Sequence, residues 1–429
     1  MFENPFQPES KKAKKSLFNR NKKAGQFVSV KTMEKIEKSF PTVEYHGLRI
    51  RKEQVEFFKD LEKLIEQIIL RKEEAHYQII AKKSRAEVLK DELGKLVKEC
   101  ELDSIGNIVR LTLRQLDYLN QLPASITNLI KLKQLEIIDC KEFRTLPENL
   151  GQLNRLEGMV LNGTIMRELP SSFGHLKKLE GLYVYNHRHA LKLPETFGRL
   201  KSLKELRFSS IYNEPGIFGL YELPENFGEL SGLEILSIEG GGLKVLPDSF
   251  GQLSNLKTLS LQRNRFTDFP QPICDLPNLE TLECTKDTIE KISRIGGLPK
   301  LKELRLHSNL IKKIGSFDGL AKLEKLDLSG NELATLPPSL AQLKGLKLLL
   351  LSLNKFKKFP AIVCELENLE DLAIIENEFM KFPLMLHNLK KLKTLAFGPK
   401  SRKGIIDNVK LNLMDWQVKQ LLPKVEIYS

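Results

Sequence analysis

Residues 323–343 read LEKLDLSGNELATLPPSLAQL, with leucines at 323, 326 and 328, an asparagine at 331 and a Leu-Pro pair at 336–337. The alternation in K-L-D-L-S turns Leu326 and Leu328 to one side of an extended chain. Lys325, Asp327 and Ser329 face the other way, the period-two signature of a strand with one buried face. Leu333, Leu336, Leu340 and Leu343 follow without that alternation and bring the chain back to the start of another strand. A segment this short cannot bury its own leucines, so it needs neighbours built on the same pattern.

The neighbours are present. The middle leucine of the L-x-x-L-x-L core recurs at 111, 135, 159 (as Met), 182, 206, 236, 259, 282, 304, 326, 349, 372 and 395, thirteen units spaced 22–24 residues apart except for one interval of 30. This is the period of a leucine-rich repeat. The fold class predicted is α/β: a solenoid, or horseshoe, of about thirteen repeats with a concave parallel sheet roughly 57 Å long at the usual inter-strand spacing. The slot five residues after each middle leucine holds Asn264, Asn309, Asn331, Asn354 and Asn377 in the second half. An amide both donates and accepts, so it satisfies backbone groups left open at the bend. In the first half the slot holds Cys140, Thr164, His187, Ile211 and Gly241, which predicts a weaker or differently bonded ladder there. The long interval adds IYNEPGIFGLYELPENF after the strand of Leu206.

Composition narrows the class further. Lys plus Arg exceed Asp plus Glu by 68 to 55, and the basic excess is densest at the start, where Lys11, Lys12, Lys14, Lys15, Arg20, Lys22 and Lys23 meet only Glu3 and Glu9. The first residues contain no apolar run of the secretory kind, and the longest wholly apolar run, Leu348–Leu351, is far short of the ~20 residues a membrane span needs. Five scattered cysteines suggest neither a disulfide framework nor a zinc site and suit a reducing, cytoplasmic setting. The domain reading is a disordered basic tail over 1–27, a mostly helical N-terminal cap over 28–104, the solenoid over 105–398 and a C-terminal cap over 399–429. Val55, Phe58, Leu61, Ile65 and Ile68, and again Val88, Leu89, Leu93 and Leu96, carry the helical spacing of the first cap; Leu413, Trp416, Val418 and Leu421 supply the lid at the other end.

Most units read LPxxFGxL or close to it, as in residues 223–230 and 246–253. Over residues 105–398 this resembles the Ras-group, Shoc-like leucine-rich repeat family and its plant disease-resistance relatives. Two shorter units, TIEKISRIGGLPKLKELRLHSN and LIKKIGSFDGLAKLEKLDLSGN, lack Leu-Pro and look like the repeats of a protein-phosphatase regulatory subunit. The resemblance implies an intracellular signalling adaptor engaging a small GTPase or a phosphatase.

Phosphate-binding loops, H-E-x-x-H and G-x-S-x-G are absent from the sequence, so enzyme chemistry loses its usual anchors and no cofactor or metal is expected. His187 and His189 lack a Cys or acidic companion for a tetrahedral site and read as a polar surface loop. The informative residues are those between the leucines, which the strand period delivers to the concave face. Tyr183, Tyr185 and Arg207, with Tyr212 and Phe218 of the insertion, are side-chain types that anchor interfaces. Glu283, Arg305, His307 and Asp327 form a mixed-charge stretch suited to matching a partner's charges. Leu348, Leu350 and Ile375 are apolar where solvent is expected, which marks either a partner's seat or a surface the C-terminal tail covers. The function expected is a non-enzymatic, monomeric scaffold or signalling adaptor that holds a protein on its concave face. The alternatives are nucleic-acid or anionic-lipid binding through residues 11–23, and service as a regulatory subunit.

Overall fold

The computed structural model describes residues 42–46, 48–75, 100–187, 189–210, 219–378, 384–397 and 422–428. Its dominant element is a 15-stranded sheet. The thirteen middle residues pair with one another in unbroken parallel register, from Leu111 against Leu135 through Leu206 against Leu236 to Leu372 against Leu395. Each is at most 1% exposed. The 30-residue interval therefore leaves the strand register intact; its extra residues, 211–218, lie outside the described ones.

Behind the sheet the chain returns through short 3-10 turns, among them Ser171–His175, Phe197–Arg199, Phe227–Glu229 and Asp248–Gln252. Their phenylalanines form a buried spine. Phe173, Phe197, Phe227 and Phe250 stack with centroids 6.1, 6.2 and 6.0 Å apart and planes within 8°. The glycine after each phenylalanine is a packing requirement. A Cβ on Gly174, Gly198 or Gly228 would lie deep inside the carbonyl oxygen of Thr196, Asn226 or Ser249 on the next repeat.

Eleven of the thirteen repeat strands leave the sheet through one residue in the left-handed region; Ser210, after the strand of Leu206, does not. Gly163, Gly240 and Gly330 take it without penalty, while Gln115, Asp139, Asn186, Arg263, Lys286, Ser308, Leu353 and Glu376 take the same slot with φ between 50° and 59°. The next residue is the rung. Asn354 Nδ2 donates to Leu328 O at 3.0 Å and Leu351 O at 3.1 Å, and its Oδ1 accepts from Leu333 N at 3.0 Å. Asn264, Asn309, Asn331 and Asn377 repeat this geometry. In the first half the bonding differs, as expected. Cys140 Sγ reaches Leu113 O at 3.5 Å, and Thr164 Oγ1 lies 3.4 Å from His187 Nδ1 while the other ring nitrogen sits 2.8 Å from Met166 O. His187 is thus a buried rung and not part of a polar surface loop; desolvation lowers its pKa to about 4.

Along one margin of the sheet, from the fourth repeat on, the residue two before each middle leucine alternates in sign: Glu180, Lys204, Glu234, Lys257, Glu280, Lys302, Glu324, Lys347, Glu370, Lys393. Pairs close across adjacent repeats at 2.9, 2.7, 2.7 and 2.9 Å from Lys204–Glu180 to Lys347–Glu324, and Lys393 also pairs with Glu370. These abundant exposed carboxylates are partners of lysines along a neutral stripe.

The ends differ from a purely helical capping scheme. At the N-terminal side a hairpin, β1 (Thr42–Tyr45) with β2 (Leu48–Arg51), precedes one helix, α1 (Val55–Ala75). Phe57, Phe58, Leu61 and Ile65 of α1 are fully buried, and Asp60 accepts from Ser125 of the first convex turn at 2.6 Å. A strand, β3 (Cys100–Leu102), then runs antiparallel to β4 (Ile108–Arg114), closing the first open edge of the sheet. The second helical stretch expected around Val88–Leu96, and the lid residues Leu413, Trp416, Val418 and Leu421, lie outside the described residues. At the far end Glu426–Tyr428 adds a further parallel strand, with Ile427 opposite Leu395, which the sequence reading did not foresee.

Three substitutions separate these roles. Asn354→Ala leaves two carbonyls and an amide without their partner and should lower the unfolding free energy by about 2–4 kcal/mol, measured by urea denaturation. Gly228→Ala, overpacking a repeat joint, should cost about 1–3 kcal/mol; in Gly345→Ala, where the nearest atom to a new Cβ is 3.4 Å away, the same measurement should find little change.

Candidate partner-binding face

Because the register is constant, residues on either side of the middle leucines form straight rows across the concave face. In the row following the middle leucine, Tyr183 stands beside Arg207, then come Ser237, Ser260, Glu283, Arg305, Asp327, Leu350, Ala373 and Ala396. The structure brings Tyr183, Tyr185 and Arg207 together. The tyrosine rings lie 6.3 Å apart at 29°. Glu205 organises them: it accepts from the Tyr183 hydroxyl at 2.8 Å and from Arg207 Nε through its other oxygen. The space Tyr183 fills is created by Gly181, whose Cβ would meet the ring at 2.8 Å. Burial, followed by the Glu205 charge, drives the Tyr183 phenol far above its ordinary pKa, and burial raises Tyr185 as well. Tyr212 and Phe218, expected to join this group, lie outside the described residues.

The central mixed-charge stretch is internally bonded. Arg305 donates to Glu303 at 2.7 Å and lies 3.6 Å from Glu283, whose carboxyl is raised in pKa chiefly by burial. Asp327 accepts from the Ser329 amide at 3.0 Å, and His307 Nδ1 sits 3.2 Å from Ser308 Oγ. Between the aromatic and the charged groups the face is floored by small hydroxyl residues. Among the described residues Ser260 Oγ and Thr285 Oγ1 are buried without a hydrogen-bond partner. Leu348, Leu350 and Ile375 are half-buried around Ala373 and Ala396, a shallow apolar dish.

Leu353 borders this dish and was not singled out by the sequence. Its amide bonds to Ile375 O at 2.9 Å, its φ is 59°, and its side chain is 49% exposed. A branched apolar side chain thus stands in water on a backbone conformation that costs roughly 1–2 kcal/mol for an ordinary residue. Glu205 was also missed, since only the structure reveals one carboxylate serving two neighbours.

Among the described residues no group of three or more His, Cys, Asp and Glu side chains is placed to hold a metal ion, and no helix is long and apolar enough to cross a membrane. The face offers shape, two aromatic rings, one oriented guanidinium and an apolar dish, the equipment of recognition.

A family model described as a leucine-rich repeat region matches residues 88–218 and 216–316, more than half of the chain, and a model of two leucine-rich repeat copies matches 299–342. No curated protein sequence matches. Solved structures of similar fold include a leucine-rich repeat protein of Leptospira interrogans (27% identity, 74% of this chain and 95% of that one, TM-score 0.47). Another is an internalin of Listeria monocytogenes (16% identity, 92% and 96%, TM-score 0.52). A third is the PEPR1–AtPEP1 complex (24% identity, 70% of this chain and 43% of that one, TM-score 0.53).

Replacing Leu353 by Asn, which tolerates the left-handed region as Asn186 does in its own repeat, should raise stability by about 0.5–1 kcal/mol, read as a higher urea midpoint. Ultraviolet titration in alkali should find Tyr183 resisting ionisation in the parent protein; in Glu205→Ala it should ionise at lower pH, since the charge and the bond that oppose phenolate are gone.

Proposed function

This chain belongs to the leucine-rich repeat family, and from that premise we propose that it is a non-enzymatic scaffold that seats another protein on its concave sheet. The observation that carries the reading is the Glu205 bridge. It holds Tyr183 and Arg207, two side-chain types that dominate interface hot spots, in fixed rotamers before any partner arrives. Pre-ordering removes part of the side-chain entropy that binding otherwise costs. The apolar dish with Leu353 offers a second anchor, because it extends exposed apolar surface beside half-buried Leu348, Leu350 and Ile375.

The role proposed is that of a cytoplasmic signalling adaptor or regulatory subunit whose partner is a small GTPase or a phosphatase. The five cysteines, all free thiols, accord with a reducing compartment. A second reading, nucleic-acid or anionic-lipid binding, rests on the basic residues 11–23 alone.

Affinity capture with the parent protein and with Tyr183→Ala/Tyr185→Ala/Arg207→Ala separates the two. The scaffold reading expects the captured protein to be lost from the triple variant at an unchanged melting temperature, and to survive deletion of residues 1–26. Retention by the triple variant, with steep loss in high salt and on deletion of the tail, would instead establish the electrostatic reading.

A further inference from the structure

The asparagine ladder has one irregular rung. Five residues after Leu282, between Asn264 and Asn309, the slot holds Asp287. Its side chain is 7% exposed, and neither carboxyl oxygen makes a well-formed hydrogen bond, the Phe266 and Asn264 amides being the donors turned toward it. The neighbouring rungs define what the slot requires. Asn309 Nδ2 donates to Cys284 O at 2.9 Å and Leu306 O at 3.0 Å, and its Oδ1 faces Ile289 N at 3.4 Å. Asn331 does the same one repeat on. By that spacing position 287 addresses the carbonyls of Leu261 and Cys284 and the amide of Phe266. Aspartate lacks the amide hydrogens, so an ionised carboxylate sets oxygen against oxygen in a site closed to water. A neutral carboxylic acid keeps one donor and restores part of the rung.

We propose that Asp287 is a protonated rung and that its ionisation opens the ladder at the eighth repeat, making this joint of the solenoid a pH-sensitive one. Burial pushes the carboxyl up to about 7 from an ordinary 3.8, only partly offset by the Phe266 and Asn264 amides. The surroundings hold no counter-charge that reverses this. The Cys284 thiol on the same repeat is itself held neutral by burial. On the preceding repeat Arg263 and Arg265 are exposed, with Arg265 over the Tyr221 ring at 5.8 Å. On its own repeat Lys286, Glu290 and Lys291 are exposed, and on the following one Lys312 is paired with Glu290 at 2.8 Å, Lys313 is exposed and His307 lies on the concave face.

The direction of the linkage follows. A carboxyl whose folded pKa is raised contributes stability that is complete below the unfolded pKa and is lost as pH rises through the folded one. The joint is therefore closed in mild acid and weakened above neutrality. It sits behind Glu283 and Thr285, so the weakened segment is the one that supports the middle of the concave face.

The test is thermal and urea unfolding of the parent, Asp287→Asn and Asp287→Ala from roughly pH 5.5 to 8.5, read as the difference between parent and variant so that all other titrations cancel. Asp287→Asn should gain on the parent by about thirtyfold in folding equilibrium across that range, nearly all of it below pH 7.5. Asp287→Ala should be less stable than Asp287→Asn throughout, yet show the same pH-dependent gain on the parent. Infrared difference spectra between parent and Asp287→Asn at pH 6 should contain a carboxylic-acid carbonyl band. A pH-independent difference, or no such band, overturns the proposal. So does a parent that potassium or calcium restores at pH 8.5 while Asp287→Asn is unaffected, because that result would make the rung an ionised carboxylate bridged by a cation.

Discussion

Everything in this molecule depends on one spacing. Parallel strands hydrogen-bond ~4.8 Å apart, and the constant register from Leu111 to Leu395 brings each slot of a repeat against the same slot of the next. A residue type that packs well on itself is thereby rewarded many times over, and one that does not is penalised at both of its neighbours. Phenylalanine stacks face to face behind the sheet, asparagine bonds backbone on both sides of its rung, and like charges along the lysine–glutamate margin are avoided by alternation. The same closeness explains Gly174, Gly198 and Gly228 after their spine phenylalanines, where the next repeat's carbonyl occupies the space a side chain would need.

The two halves meet this constraint differently. From Phe173 to Phe250 the spine is aromatic, and the rung slots hold a histidine, a threonine or a glycine with irregular bonding. From Asn264 to Asn377 the rungs are regular except at 287, and the spine position is filled mostly by smaller residues, Ile273, Ile295, Leu340 and Val363, with Phe317 standing alone among them. Packing carries more of the load in the first half and hydrogen bonding more in the second. The change falls at the repeats of Leu259 and Leu282, where Asp287 interrupts the ladder just after the spine has ended.

Much of this was legible in the sequence, because a solenoid makes its interactions local and periodic: strand positions, register, the asparagine rungs and the direction of every inter-leucine side chain follow from counting. What counting missed has a common physical cause. Glu205 matters because it bonds across to Tyr183 while also holding Arg207, and Tyr183 can lie down only because Gly181 lacks a Cβ. Counting does place His187 in the rung slot, and it is the surface-loop reading of its His-x-His pair that its burial against Met166 overturns. The hairpin β1–β2 and the strand at Glu426–Tyr428 escaped notice because neither carries a full repeat.

The positions that matter for function are those that break their slot's rule. A bend slot that elsewhere holds polar residues or glycine holds Leu353, a rung slot suited to asparagine holds Asp287, and the two positions before the middle residues of adjacent repeats hold Gly158 and Gly181 where side chains otherwise line the sheet. Stacking alone selects against the first two, since one leaves an apolar side chain in water and the other an unmet polar group inside an otherwise self-satisfying row. Residues that repeat pay only structural dividends and are interchangeable between rows. The exceptions give one place on the horseshoe a chemistry that no other place shares, and a partner that must find a single register on a periodic surface can distinguish one repeat from the next only by such exceptions.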